Sequence, residues 1–139
     1  GSGGGRMTPF ILDTSALLAH LWKEPGEARV AHLLTTERCL LGATNLAELV
    51  SKVIERGLPA SEVPVLVSSL NVEIIPLTQE QAELAGILRQ TTRHLGLSLG
   101  DRACLALAKT LGGVAITADR PWQALDLGIA VECIRADSH

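Results

Sequence analysis

Four acidic side chains, Asp13, Glu48, Asp101 and Asp119, stand at comparable points of an alternating pattern of apolar runs and helical repeats. Asp13 closes the apolar run Phe10-Ile11-Leu12, which follows Pro9, and the next two residues, Thr14 and Ser15, carry hydroxyls able to cap a helix. Asp119 follows a second apolar run, residues 114–117, in the same way. Glu48 falls one turn into the helical pattern after the apolar segment 39–43, and Asp101 lies three residues beyond Ser98 at the start of an Ala- and Leu-rich repeat. In open α/β sheets the carboxyl edge is where ligands bind, and both aspartates that end strands belong there. Four carboxylates gathered on one rim repel one another, and without a counter-charge some must take up protons. A hard divalent cation, Mg²⁺ or Mn²⁺, relieves that repulsion through oxygen ligands while keeping waters for chemistry.

The elements that position these acids follow from periodicity. Residues 10–12 read as a strand buried on both faces, and Leu17, Leu18, Leu21 and Trp22 continue as a helix. Glu24-Pro25-Gly26 breaks the chain before a second helix carrying Val30, Leu33 and Leu34. After strand 39–43, Thr44 is the expected cap of a helix bearing Leu46, Leu49, Val50 and Val53, which Gly57 ends. Residues 59–70 have moderate helical character, and 72–77 read as a strand that Pro76 assigns to a sheet edge. Thr78 with Gln81 forms a capping-box pattern opening a long helix to about Gly96; Ser98 caps the next, which stops at Gly112-Gly113. A short helix after Pro121 leads to a last strand, 129–134. The pattern predicts a single three-layer α/β/α domain around a parallel sheet of about five strands. The helix that starts near Asp101 must deliver the chain to the opposite edge for strand 114–117, so Asp101 also belongs at the carboxyl edge.

Each acid has a plain structural reading as well. Asp13 suits an N-cap, Asp101 completes a Ser-x-x-Asp capping box, Glu48 could pair with Lys52 one turn on, and Asp119 suits the turn before Arg120-Pro121. Any one of these alone would suffice; four coinciding on one rim favour a site. Asp126, Asp137, Glu24 and Glu73 lack such placement and read as surface acids. His20, His32 and His94 have no acid or Cys partner at ligand spacing, and His139 lies in the tail.

The chain has 139 residues, enough for one domain with a substantial core. Residues 1–6, led by Gly1–Gly5 with Ser2, read as a remnant of expression, with Met7 as the native start of a domain spanning 7–139. Aromatics make up 2% and Tyr is absent, which argues against a base-stacking platform. A net charge of −3 gives no global basic field, although a carboxylate cluster would mask a local basic rim. No apolar run reaches membrane-spanning length and no signal peptide is visible, so a cytoplasmic protein is expected. Cys39, Cys104 and Cys133 lack zinc-site spacing and are expected as reduced, buried thiols.

The runs Leu12-Asp13-Thr14-Ser15-Ala16-Leu17, Ala47-Glu48-Leu49, 97–108 (LSLGDRACLALA) and Ile116-Thr117-Ala118-Asp119-Arg120 with Trp122 resemble the PIN domain, and more narrowly the VapC-type toxins of VapBC toxin–antitoxin modules. The resemblance extends from about Met7 to Ile134, and the run 98–108 followed by Thr117-x-Asp119 is its most specific part. It implies a divalent-metal-dependent endoribonuclease with Asp13, Glu48, Asp101 and Asp119 as the catalytic and metal-holding acids, and Ser15 and Thr117 as polar supports. Products with 5′-phosphate and 3′-hydroxyl ends, self-pairing into a homodimer and a small VapB-type antitoxin are implied with it. Lys52, Arg102 and Arg120 each lie within a turn of an acid and are the candidate RNA phosphate contacts. Two other classes share part of this pattern. A haloacid-dehalogenase-like phosphohydrolase also puts an Asp after its first strand, but wants a second Asp where Ser15 stands. A non-catalytic module of the same fold would keep no reason for four intact acids.

Overall fold

Five parallel strands form one sheet in the order β3-β2-β1-β4-β5, with β1 at its centre. The computed structural model describes residues 8–135; Met7, Asp137 and His139 lie outside them. The strands are β1 (Phe10–Leu12), β2 (Cys39–Gly42), β3 (Glu73–Ile75), β4 (Val114–Thr117) and β5 (Ala130–Cys133). The helices are α1 (Thr14–Leu21), α2 (Glu27–Thr36), α3 (Ala43–Glu55), α4 (Val63–Ser69), α5 (Gln79–Thr92) and α6 (Leu99–Leu111), with 3₁₀ turns at Ala60–Glu62, Arg93–Leu95 and Arg120–Ala124. β3 is an edge strand, as Pro76 implied, and runs three residues rather than the six of 72–77.

The side-chain period of a strand sorts the core into two halves. Leu12, Leu41 and Ile116 face one cluster with Leu17, Val30, Leu33 and Leu49, from α1, α2 and α3. Their neighbours Ile11, Leu40 and Ala115 face the other, with Leu88, Leu105, Leu107 and Trp122, from α5, α6 and the last 3₁₀ turn. The sheet is thus the middle layer of three, and residues buried on both faces explain why the strands lack polar alternation.

Capping decides how the acids are presented. Both capping boxes form: Thr78 with Gln81 opens α5, and Ser98 with Asp101 opens α6. α3 differs from expectation. It begins at Ala43 directly from β2, with Gly42 as N-cap and no side-chain cap, so Thr44 lies inside the helix. Cys39 and Cys104 are buried free thiols, whereas Cys133 is only half-buried, because the edge strand β5 has one side open. Among the described residues no helix is long and apolar enough to cross a membrane.

Candidate active site

Asp13 is the anchor of the site. It leaves β1 at the sheet's carboxyl edge, is the N-cap of α1, and is 1% exposed. Its Oδ2 accepts hydrogen bonds from Ser15 Oγ at 2.6 Å and more weakly from the Ser15 N–H at 3.4 Å and Thr117 Oγ1 at 3.5 Å. Ser15 Oγ in turn accepts from the Ala118 N–H at 3.0 Å, and Thr117 Oγ1 accepts from the Asp119 N–H at 3.0 Å. The two hydroxyls, 3.2 Å apart, therefore lock the β1–α1 turn to the turn after β4 that carries Asp119.

Asp101 reaches the same place from the first turn of α6. One oxygen accepts the Ser98 N–H at 2.9 Å, and its carboxyl lies close enough to Asp13 for the pair to share a proton. Burial, then the charges of Asp101 and Glu48, push the Asp13 carboxyl up to about 7. Burial and the Glu48 charge raise Asp101 as well, and burial with the Asp101 charge raises Asp119. The indole N–H of Trp122 is buried without a formed hydrogen bond but lies close enough to Asp119 to favour its charged form. Cys104 feels burial and the charges of Asp13, Asp101 and Glu48, and its thiol is pushed well above its ordinary range. The charges of Asp101 and Glu48 thus bear on Asp13, and that of Asp101 bears on Asp119. No Glu48–Lys52 ion pair forms among the described residues.

Glu48 arrives from α3 by a close approach that only glycine permits. A Cβ at Gly100 would stand 2.6 Å from Glu48 Oε1 and 2.9 Å from its Cδ. The carboxylate therefore rests in the space where residue 100 has no side chain, one residue before Asp101. One turn earlier on the same face of α3 is Asn45, fully buried. Its Nδ2 lies within hydrogen-bond distance of Asp13 Oδ1 (3.3 Å), Thr14 Oγ1 (3.2 Å) and the Gly100 carbonyl (3.1 Å). Thr14 Oγ1 donates back to the Asn45 carbonyl at 3.2 Å. Asn45 thus ties three elements together behind the acids, while its own Oδ1 is buried without a partner. Sequence reasoning passed over Asn45, since a single Asn in a helical repeat carries no sign that it faces inward.

The basic candidates separate. Arg120 lines the outer part of the cleft. Arg102 turns away: Nη1 donates to the Ala85 carbonyl of α5 at 2.9 Å, because residue 102 lies on the face of α6 that packs against α5. Lys52 is exposed on α3 and lines neither part of the cleft. Glu24, read from the sequence as a surface acid, lines both.

Asp13, Ser15, Asp101 and Asp119 face an open cleft of about 300 Å³. Among the described residues, no three metal-binding groups stand close enough to enclose an ion unaided. The charged oxygen donors there are the carboxylates of Asp13, Asp101 and Asp119, with Glu24 beside them, in a space with room for water. That combination fits Mg²⁺ or Mn²⁺, which bind through one or two carboxylates and retain much of their hydration.

A parallel sheet with β1 at its centre, two helical layers and a carboxylate cleft at the carboxyl edge defines an α/β protein with a preformed acidic site. The PIN domain family model matches residues 10–127, and the chain belongs to that family. No curated protein matches the sequence closely enough to compare. Among solved structures, the chain is similar to VapBC-1 of nontypeable Haemophilus influenzae at 17% identity and a TM-score of 0.70, over 91% of this chain and 98% of that one. DNA-bound VapBC of Salmonella typhimurium gives 20% identity and a TM-score of 0.69, over 92% and 99%. VapC20 of Mycobacterium tuberculosis, a toxin that cleaves the sarcin–ricin loop, gives 16% and 0.69, over 87% and 96%.

Proposed function

We propose that this chain is a divalent-metal-dependent endoribonuclease and the toxin of a toxin–antitoxin pair. The observation that carries the reading is the buried Asp13 carboxyl, raised to about 7 by desolvation and by Asp101 and Glu48. A protein that keeps such repulsion in its core has a use for a cation there. Asp13, Asp101 and Asp119 hold the ion, directly or through water, and Glu48 completes the acidic wall over Gly100. When bound, the ion lowers the pKa of water and offsets charge developing on the phosphodiester. Ser15 and Thr117 orient the Asp13 carboxylate as hydrogen-bond donors, and Asn45 fixes its second oxygen. Trp122 and the hydroxyl chain keep the Asp119 turn in register with β1.

RNA as substrate is supported by the family and by the activity given for the similar mycobacterial toxin. An antitoxin partner is supported by the similar VapBC pairs and by an apolar groove of about 440 Å³ between α1, α3 and α4. Leu21, Trp22, Leu58 and Leu66 line it, and Arg56 stacks on Trp22 at 3.7 Å. Apolar grooves of this size accept a helix of a partner chain. Leu17, Leu18, Val30, Leu33 and Leu34 are core, so only part of the early apolar surface is available for an antitoxin or for a homodimer.

The test is cleavage of RNA by purified protein in Mg²⁺ or Mn²⁺, in excess EDTA, and by Asp101→Asn. Metal-dependent cleavage lost in the variant is expected. Cleavage in EDTA, or an Asp101→Asn variant as active as the parent, would remove the reading, and an inert parent would favour a non-catalytic module of the same fold.

A further inference from the structure

The cleft does not end at the acids. Its inner part, facing Asp13 and Asp101, and an outer part of about 590 Å³, lined by Pro25, Arg120 and Pro121, share one wall made of Glu24, Ala118, Asp119 and Arg135. The two parts, taken together as one channel, meet at this wall beside the turn after β4, and Arg135 lines both. Its Nη2 donates to Glu24 Oε1 at 3.2 Å and its Nε to the Pro25 carbonyl at 3.4 Å. Among the described residues, both Nη1 protons and one Nη2 proton have no partner.

The chemistry of the channel calls for a cation at this point. A polyanion entering it meets the charges of Asp119 and Asp101, in a protein with a net charge of −3. Phosphates flanking the one at the acid cluster therefore need positive charge supplied by the protein. Arg135 lies near enough to Asp119 to favour its charged form, which puts the guanidinium within electrostatic reach of the site. Glu24 pairs with it at 3.2 Å. An ion pair with side chains 33% and 38% exposed is weak, so exchanging one oxyanion partner for another costs little. A guanidinium presents a fork of donors that matches phosphate as well as carboxylate.

We infer that Arg135 is a phosphate-binding residue of the channel, held in readiness by Glu24, which single-stranded RNA displaces when it binds. The inference rests on the ribonuclease reading and adds a substrate-binding site to it. The Arg135–Glu24 pair is not needed to hold β5 against α2. Arg29 makes a bidentate pair with Glu132 at 2.7 and 2.9 Å, and Ile134 packs over Gly26, whose φ of 95° and lack of Cβ permit the contact. Variants at 24 and 135 should therefore fold.

The two residues predict opposite effects. Binding of a fluorescent single-stranded RNA oligonucleotide is measured in EDTA by anisotropy, across a salt series. Arg135→Gln should weaken binding roughly tenfold and lower the slope of log K against log salt by about 1. Glu24→Gln, which frees the guanidinium, should tighten binding roughly threefold and keep the slope. Arg135→Lys should recover part of the affinity, since charge remains but the fork is lost. With metal, the Arg135→Gln defect should appear in KM rather than kcat. If the parent binds and cleaves RNA while Arg135→Gln matches it in affinity and slope, the inference fails and the nuclease reading stands. If Glu24→Gln weakens binding as Arg135→Gln does, the pair is a structural clamp and the inference fails. A parent that neither binds nor cleaves RNA removes both.

Discussion

At the scale of single residues, the site is built from charge held where water is scarce. The Asp13 carboxyl, raised from 3.8 to about 7, binds a proton more tightly folded than unfolded. Stability of the metal-free protein should therefore be gained as pH falls from about 7 toward 4, and lost as pH rises through 7. The melting temperature in EDTA should rise when pH is lowered from 8 to 5.5, and saturating Mn²⁺ should reverse that trend by favouring the charged form. Asp13→Asn should abolish cleavage yet raise the metal-free melting temperature at pH 8, because it removes the repulsion and keeps an acceptor for Ser15. A variant that melts lower than the parent there would show that the hydrogen bonds, not the repulsion, dominate. Gly100→Ala makes the complementary case. Its Cβ would meet Glu48 Oε1 at 2.6 Å, so the carboxylate must move. Mn²⁺ affinity by calorimetry should fall several-fold, while the metal-free fold is unharmed, since Ala favours a helix more than Gly does. Unchanged Mn²⁺ affinity would mean that Glu48 has no part in holding the ion.

At the scale of elements, the helix starts set the acids in place. Ser98 accepts the Asp101 N–H at 3.1 Å while Asp101 accepts the Ser98 N–H, so one box both starts α6 and aims a catalytic candidate. Ser98→Ala should cost about 1 kcal/mol, read by urea denaturation, and should weaken Mn²⁺ binding because Asp101 loses half of its frame. A loss of stability with no change in metal affinity would separate the two roles. This double use explains what was legible beforehand. The boxes at Thr78 and Ser98, and the strands ending at Asp13 and Asp119, announce themselves by local chemistry that survives folding unchanged. The start of α3 did not, because β2 runs into it with no loop and Gly42 caps without a side chain, so Thr44 was a false signal. Arg102 depends on packing in a related way. Nearness to Asp101 in sequence says nothing of which helix face a side chain leaves from, and 102 leaves toward α5. Asn45, Glu24 and Arg135 acquire their roles only from distant partners, so no local pattern marks them.

At the scale of the whole molecule, the acidic cleft and the apolar groove both border α1, which carries Ser15 and Leu18 toward one and Leu21 toward the other. A partner helix seated in the groove would lie beside the cleft, and a basic side chain reaching from it would compete with the ion. On the proposed function an antitoxin should inhibit cleavage, and Trp22→Ala, which opens the groove and removes the Arg56 stack, should relieve that inhibition. Inhibition unaffected by Trp22→Ala would move the partner's seat elsewhere. The sheet order carries a consequence in time as well. Central β1 pairs with β4, Phe10 beside Val114 and Leu12 beside Ile116, so β1 waits for a strand far downstream of it. Asp119 emerges later still. Parallel pairings so distant along the chain form slowly, because the intervening segment must be closed first. On the ribosome, a nascent chain truncated before residue 114 should neither take up Mn²⁺ nor cut RNA, however complete its first three strands. The order of synthesis then sets the moment at which the acidic site is complete.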